Sequence, residues 1–407
     1  MDAHLRFSCY HGRRVHLGVT GSVAAYKALP LLRALLDTGL RVGATLTRSA
    51  SRFITPLSFQ ALGADPVYGE MFSSSEQTFD HLAPAHEAAC LLIAPATANF
   101  MAKMAHGLAD DMLSCQTLAF PGPVVLAPAM NPMLWEAKAT RENLRILVSR
   151  GVDLVEPGCG DMACGDSGSG RLADERAIFS KALRAVTPQD MKDRTVLIAF
   201  GPTHEYFDAA RFWSNPSTGL MGACLAMSAW LRGARVRLVQ GPCDVWLPAS
   251  MEIARVRSAR QMHDACLAMW PGVDAGCMVA AVADFSPVPF EDAGRKFKKD
   301  VSGATAPDIR FVPNPDILSD LGRMKSPHQR LIGFCAETQD LVANAEDKLR
   351  RKNCDLMVAN PIGGPDAGFG SLTNEVTVVD AAGRVEQWPS LAKTEVAWRI
   401  WDWLNRF

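Results

Sequence analysis

The sequence predicts an α/β protein of two domains, each an open, mostly parallel sheet flanked by helices. Length is the first observation: 407 residues suffice for two or three domains of about 150 residues. The second is a repeated opening. Residues 15–20 form a short β-rich run that meets Gly21-Ser22 and then an apolar-periodic segment reaching Leu40. Residues 195–200 do the same before Gly201-Pro202-Thr203, a loop, and a periodic segment over 221–232. A further strand follows each, at 41–46 and 234–240, giving strand, glycine turn, helix and strand twice over. The third is a set of near-continuous apolar runs, the pattern of strands covered on both faces.

Those runs are 89–94 and 124–127 in the first half, and 276–283, 331–336 and 356–358 in the second. Apolar spacing of three and four residues predicts helices over 22–38, 52–62, 98–106, 136–149, 172–184, 221–232, 259–270, 314–323 and 339–352. Residues 186–193 are polar, carry Pro188 and have no period, and they separate one helix from a new first strand. The boundary belongs there: an N-terminal extension over 1–13, a first domain over 14–187, a linker over 188–194 and a second domain over 195–407.

Hydrophobic residues at 48% and charged residues at 21% are those of an ordinary globular protein. A net charge of -1 supplies no basic field for nucleic acid or an anionic membrane, so phosphate must be held by local features. No apolar run reaches the roughly 18 residues of a membrane helix. The polar start, with Arg6, Arg13 and Arg14, lacks the apolar stretch of a secretory signal. A cytoplasmic protein is expected. The 11 cysteines include no C-x-x-C pair, which leaves no zinc or dithiol motif. Cys90, Cys224, Cys266, Cys277 and Cys335 stand in apolar runs and are expected as core residues.

In the first half, Ser22 is a candidate N-cap where a strand turns into a helix, and backbone N–H groups there can hold a phosphate. Alone, the turn reads as readily as an ordinary junction. One strand runs into Ala94-Pro95-Ala96-Thr97-Ala98-Asn99 and the next into Ala127-Pro128-Ala129-Met130-Asn131. Small residues at the carboxyl edge of such a sheet leave room for a flat ring or a phosphate. Residues 157–171 hold five glycines and are expected to form a mobile loop. Cys159 and Cys164 lie in it; Cys164, near Arg171, suits a reactive thiol or an incidental exposed one.

Residues 14 to about 185 resemble the flavin-dependent cysteine decarboxylases of the 4'-phosphopantothenoylcysteine type. The match is carried by Gly21-Ser22-Val23-Ala24-Ala25-Tyr26-Lys27, Phe53-Ile54-Thr55-Pro56-Leu57, and His81 ahead of Ala94-Pro95-Ala96-Thr97-Ala98. Pro128-Ala129-Met130-Asn131 and Ala163-Cys164-Gly165-Asp166 complete it in order and spacing. The resemblance implies a flavodoxin-like fold that binds FMN, its phosphate at Gly21, Ser22, Thr47 and Ser49 and its ring near Ala94, Pro95, Ala96, Thr97 and Met130. It also implies that His81 is catalytic, that Asn131 binds the substrate carboxylate and that Cys164 is the acid of the last step. The chemistry explains the flavin. Loss of carbon dioxide beside an amide nitrogen leaves a carbanion with no electron sink, whereas oxidising CH2–SH to a thioaldehyde supplies one. His81, with an unperturbed pKa near about 6.5, suits proton transfer near neutrality. Without the resemblance it reads as an ordinary surface histidine. Asp110-Asp111 departs from the family, which has one Asp and one Asn there.

In the second half, Ser214-Asn215-Pro216-Ser217-Thr218-Gly219 precedes a helix; Ser217 and Thr218 are candidate caps, and Gly219 allows close approach of a ligand. Ala280-Ala281-Val282-Ala283-Asp284 ends a buried run in a carboxylate, suited to a metal or ribose or simply to a strand end. Arg295-Lys296-Phe297-Lys298-Lys299 is either a solvated patch or a basic loop that closes on a triphosphate. Asn314-Pro315-Asp316 reads as N-cap, first-turn proline and first-turn acid. Lys348 and Lys352 share one helix face, to hold phosphates or face water.

Residues 194–405 resemble the phosphopantothenate–cysteine ligases on these segments, with Ile317, Gly333-Phe334, Glu337-Thr338 and Gly368-Phe369-Gly370. The resemblance implies a Rossmann-like domain using CTP, with Asn215 acting on an acyl-cytidylate and Lys296 as the key lysine of the loop. CTP would lie at Asp284, Lys296, Asn314, Pro315, Asp316, Ile317, Phe334, Lys348 and Lys352. Mg2+ would be held mainly through the CTP phosphates, with Asp284 a candidate ligand. Leu220 stands where the family carries a lysine.

Together the resemblances imply a bifunctional enzyme of coenzyme A biosynthesis. It would ligate L-cysteine to 4'-phosphopantothenate and decarboxylate 4'-phosphopantothenoyl-L-cysteine to 4'-phosphopantetheine. Its partners would be these small molecules, with neither nucleic acid nor membrane. They also imply a homo-oligomer, with trimers grouped into a dodecamer through the first domain and dimers through the second. Two other readings are a decarboxylase with an impaired ligase half and a non-catalytic flavoprotein regulatory subunit. Asn215, Lys296 and Asp284 speak against the first, and His81, Asn131 and Cys164 against the second.

Overall fold

The computed structural model describes residues 1–72, 79–161, 165–290, 294–297, 309–362 and 370–404; Cys164, Lys298, Lys299 and the segment Gly368-Phe369 lie outside them. The chain divides into two units: Arg6–Pro188 with Met1, and Gln189–Phe407 with Asp2–Leu5. Among the described residues, no helix is long and apolar enough to cross a membrane.

In the first unit the apolar runs build a parallel sheet from β1 (Arg14–Val19), β2 (Arg41–Leu46), β3 (Val67–Tyr68), β4 (Cys90–Ala96), β5 (Val124–Pro128) and β6 (Asp153–Leu154). Their spatial order is β3-β2-β1-β4-β5-β6, and Leu17 of β1 lies beside Ala44 on one side and Leu92 on the other. Leu91, Leu92 and Ile93 are consecutive and wholly buried, so both faces of the sheet are covered. The helices are α1 (Ala28–Leu36), α2 (Pro56–Ala61), α3 (Ala83–Glu87), α4 (Ala98–His106), α5 (Met112–Ala119), α6 (Pro132–Glu136), α7 (Lys138–Ser149) and α8 (Glu175–Val186). Strand order reverses between β1 and β4, and the crevice outside their carboxyl ends is where such sheets take ligands.

Several expected boundaries shift for local reasons. The helix expected over 22–38 opens as a 3-10 turn, Val23–Lys27, before α1. That expected over 52–62 shrinks to α2, with Pro56 at its first turn. That over 136–149 begins only at α7, because Ala137 is extended and separates it from α6. α8 begins at Glu175 rather than 172, since the Asp174 carboxylate caps it by accepting the Arg176 N–H at 2.9 Å. The glycine stretch expected as a mobile loop instead forms, in its described parts, a hairpin of β7 (Gly158–Asp161) and β8 (Ser167–Arg171). Gly168, at φ +154°, lets that hairpin sit on α6; a Cβ there would lie 3.1 Å from Pro132 Cβ.

The second unit holds β9 (Thr195–Phe200), β10 (Glu205–Tyr206), β11 (Phe212–Trp213), β12 (Arg235–Gln240), β13 (Glu252–Arg255), β14 (Ala275–Met278), β15 (Phe285–Pro287) and β16 (Phe311–Pro313). It continues with β17 (Arg330–Glu337), β18 (Leu356–Pro361), β19 (Thr373–Asp380) and β20 (Val385–Ala392). The main sheet runs β13-β12-β9-β14-β17-β18-β19-β20; it is parallel as far as β18, and β19 and β20 are antiparallel additions. Its helices are α9 (Leu220–Leu231), α10 (Ala259–Met269), α11 (Ile317–Met324), α12 (Leu341–Arg351) and α13 (Lys393–Leu404). α9 is buried on every side beyond its first residue, with α13 packed against it.

Two expectations are corrected here. The strand expected over 276–283 ends at Met278; the chain then leaves β17 but stays tied to the end of β9, Val279 N–H to Ala199 O and Ala281 N–H to Gly201 O, both 3.0 Å. The helix expected from Asn314 starts at Ile317, because the Asp316 carboxylate takes the Ser319 N–H at 3.0 Å while Asn314 is engaged elsewhere. In the stretch 188–194, Met191 is wholly buried and Asp190 pairs with the buried Arg232 at 2.6 Å.

Candidate active sites

In the first unit, the turn after β1 and the turn after β2 meet. A Cβ on Gly21 would lie 2.4 Å from Ser49 Cβ, so only glycine permits the approach. Ser22 caps the 3-10 turn, its Oγ accepting the Ala24 N–H at 3.3 Å, and Thr47 Oγ1 accepts the Ala50 N–H at 3.2 Å. The N–H groups of Gly21 and Ser49 find no acceptor among the described residues. Thr20, which no sequence motif marks, stitches the two central strand ends. Its hydroxyl donates to Pro95 O at 2.7 Å and accepts the Thr97 N–H at 3.0 Å. Thr97 in turn caps α4 through the Phe100 N–H at 3.3 Å. Ala94, Pro95 and Ala96 are buried, Thr97 and Met130 half-buried. A cavity of about 580 Å³ lies nearby, lined by Lys27, Leu31, Arg171, Asp174 and Ile178; of the expected cofactor residues, only Ala94 reaches it.

Asn131 ends the β5 turn and caps α6, its Oδ1 accepting the Met133 N–H at 2.8 Å. Its Nδ2 donates to Asp166 Oδ2 at 2.5 Å. That bond joins the Pro-Ala-Met-Asn turn to the segment that carries Cys164. His81 is half-buried on a turn before α3, and its ring has no partner among the described residues. A buried chain reaches that turn. His16 Nε2 lies 2.7 Å from Thr45 Oγ1, Thr45 donates to Gln116 Oε1 at 2.6 Å, and Gln116 Nε2 donates to Asp80 O at 3.2 Å. The Thr45 hydrogen is committed to Gln116, so His16 Nε2 is the donor, and burial keeps the ring neutral. Asp110 and Asp111 both pair with Lys103, at 2.6 and 2.7 Å, which compensates the second carboxylate.

In the second unit one cavity of about 480 Å³ collects Asn215, Asp284, Asn314, Pro315, Asp316, Ile317, Phe334, Lys348 and Lys352. Asn215 Nδ2 donates to Val282 O at 3.1 Å, and Asn314 Nδ2 to Ala283 O at 2.7 Å. These amides pin the segment 281–283 from two sides. Behind it stand residues that the sequence did not reveal. Thr203 Oγ1 accepts the Ala283 N–H at 3.2 Å. The Ser286 hydroxyl lies between Asn314 Oδ1 at 2.6 Å and Glu205 Oε2 at 2.8 Å. Ser217 and Thr218 accept turn N–H groups, but the N-cap of α9 is Gly219, at φ +75°. Lys348 and Lys352 do not stand free: each holds a carboxylate, Glu337 at 2.5 Å and Asp316 at 2.6 Å.

Lys296 is exposed and is not part of that cavity's lining. Its neighbour Phe297 is anchored, donating its N–H to Asp208 Oδ2 at 3.1 Å. Burial alone would raise the Asp208 pKa, yet the N–H groups of Ala210, Arg211 and Phe297 and the Arg211 guanidinium hold it below the ordinary carboxylate value. Among the described residues, no cluster of three or more His, Cys, Asp or Glu side chains could hold a metal.

Residues 6–187 match the family described as flavoprotein, and residues 191–407 match the C-terminal domain of DNA/pantothenate metabolism flavoproteins. The chain is 40% identical over 395 residues to the coenzyme A biosynthesis bifunctional protein CoaBC of Bacillus subtilis, covering 96% of each. It is 38% identical to that of Escherichia coli, covering 89% of each. Among solved structures, the C-terminal domain of a CoaBC is 34% identical, covering 54% of this chain and 97% of that one, with a TM-score of 0.45. A PPC decarboxylase mutant complexed with pantothenoylaminoethenethiol is 32% identical, covering 42% of this chain and 96% of that one, with a TM-score of 0.38. With such kinship along nearly its whole length, this chain belongs to the family of coenzyme A biosynthesis bifunctional proteins.

Proposed function

We propose that the two units of this bifunctional enzyme carry consecutive steps, the second joining cysteine to 4'-phosphopantothenate with CTP and the first removing carbon dioxide from the product. The observation that supports this most directly is the convergence of eight of the nine expected nucleotide residues, from Asp284 to Lys352, together with the expected catalytic Asn215, on one cavity. In the ligase step the substrate carboxylate attacks the α-phosphorus of CTP, releasing pyrophosphate and forming an acyl-cytidylate. The cysteine amine then displaces CMP, loses a proton and leaves the amide. Asn215 and Lys296 act on the charge of that acyl-cytidylate. Mg2+ enters with the triphosphate: the described residues offer it no cage, and Asp284 is the candidate protein ligand.

The first unit fits FMN. Gly21 and Ser49 present N–H groups without acceptors at the sheet's carboxyl edge, suited with Ser22 and Thr47 to a phosphate. The small turn over 94–97, with Met130 at the end of the next strand, leaves room for a flat ring. When bound, the flavin supplies reversible two-electron oxidation of the substrate's CH2–SH group. Asn131, oriented by Asp166, holds the departing carboxylate, His81 moves a proton, and Cys164, beyond the described residues, returns one. A cytoplasmic location and a homo-oligomer of trimers and dimers belong to the same reading.

The test is a coupled assay with the purified protein, giving 4'-phosphopantetheine and carbon dioxide from 4'-phosphopantothenate, cysteine and CTP. His81→Asn is expected to slow carbon dioxide release by about 100-fold or more while ligation proceeds. A protein that takes up no flavin, or a His81→Asn variant as fast as the parent, overturns the decarboxylase assignment.

A further inference from the structure

We propose that Lys393 is a phosphoryl-binding residue of the second unit's cavity, a cation placed there for an anion that the described residues do not supply. The proposal rests on the ligase reading of that cavity. Lys393 is the first residue of α13 and lines the cavity with Asn374 of β19 and Met221 of α9. Only 7% of it is exposed. Among the described residues its ammonium takes part in no hydrogen bond and no ion pair; its backbone N–H alone is bonded, to Leu372 O at 3.1 Å. Among the described residues, the one ionisable group it senses is the Cys224 thiol, which burial pushes up to about 12 and so keeps neutral. Burial lowers the pKa of Lys393 itself, as expected of an ammonium that lacks a counter-charge.

The contrast with its neighbours decides the matter. Lys348 and Lys352 line the same cavity, and each is already neutralised by a carboxylate at 2.5 or 2.6 Å. Leu220 and Met221, at the start of α9, line it without charge. Among the described lining residues, Lys393 therefore brings the cavity's uncompensated positive charge. An ammonium held without a counter-charge on a largely buried lysine is unfavourable in the empty protein and becomes favourable once an anion meets it in the cavity. The cavity's ligands in the ligase reading offer two phosphoryl sources, the CTP triphosphate and the phosphate of 4'-phosphopantothenate.

The test uses Lys393→Met and Lys393→Arg in the full chain. Lys393→Met is expected to raise one KM of the ligase step at least about tenfold, with Lys393→Arg restoring most of the loss. A change in KM for CTP assigns the contact to the triphosphate. A change in KM for 4'-phosphopantothenate, with inhibition by unphosphorylated pantothenate unaltered, assigns it to the substrate phosphate. The melting temperature of the unliganded Lys393→Met protein is expected to hold or rise, which a merely structural lysine would not allow. Both KM values within twofold of the parent, or a fall in melting temperature that Lys393→Arg does not reverse, overturns the proposal. If the parent itself fails to ligate with CTP, the ligase reading fails, and calorimetry with inorganic triphosphate still decides for Lys393: equal binding by parent and Lys393→Met sinks it.

Discussion

His16 is wholly buried, and burial with the nearby Arg14 lowers its pKa from 6.5 to about 3. The unfolded chain takes up a proton here as pH falls through about 6.5, whereas the folded chain waits until about 3. Between those values the unfolded state binds one more proton, so stability drops as pH falls, by about 1.4 kcal/mol per pH unit for one group. His16→Gln is expected to remove about one proton from the slope of the first unit's urea stability between about pH 6 and pH 4; an unchanged slope would place the dependence on other groups. Reading such charges from sequence alone has a clear limit. Lys348 and Lys352 were legible as one helix face, but their partners, 11 and 36 residues away, were not. Asn131 was legible only through the family resemblance of its Pro-Ala-Met-Asn turn, whereas its bond to Asp166, 35 residues on, depends on the β7–β8 hairpin.

The chain from His16 through Thr45 and Gln116 to Asp80 O connects β1, β2 and α5 to the turn that presents His81. Gln116 is wholly buried and ends in that turn's backbone, which, on the role proposed for His81, makes it a positioning residue for that histidine. A misplacement of about 1 Å at a reacting group costs up to about 100-fold in rate. Gln116→Leu is therefore expected to slow carbon dioxide release roughly tenfold, with the KM for 4'-phosphopantothenoyl-L-cysteine near that of the parent and ligation unaffected. Equal loss of both activities would mark Gln116 as merely structural. α5 itself was not foreseen: eight residues long, it is set by the Asp111–Ser114 capping box rather than by a long apolar stripe. The parallel strands were legible because double burial leaves unbroken apolar runs. β20 was not, because one of its eight residues is buried, the pattern of an edge strand. α13 did carry the right spacing, with Val396, Ala397, Ile400, Trp401 and Leu404 buried.

Two units with separate cores answer separately to damage, so stability is a property of each unit rather than of the chain. The N-terminal residues put this to use. Ala3–Leu5 forms a single 3-10 turn that belongs to the second unit, packing on α9 and α13. Leu5 is 1% exposed, and His4 Nε2 lies 2.6 Å from Trp246 O. The first unit has its own tie at this end of the chain, from Tyr10 to Thr187 at 2.9 Å. Sequence suggested no such division within an extension of 13 residues, since it carries no period of its own. A Leu→Ala change at a fully buried site removes about 2–5 kcal/mol. Leu5→Ala is expected to lower the melting temperature of the second unit by several degrees, with a matching earlier loss of ligase activity on heating. Decarboxylase activity and its thermal loss should stay where they are. The opposite pattern, with the decarboxylase failing first, would show that these residues support the first unit instead.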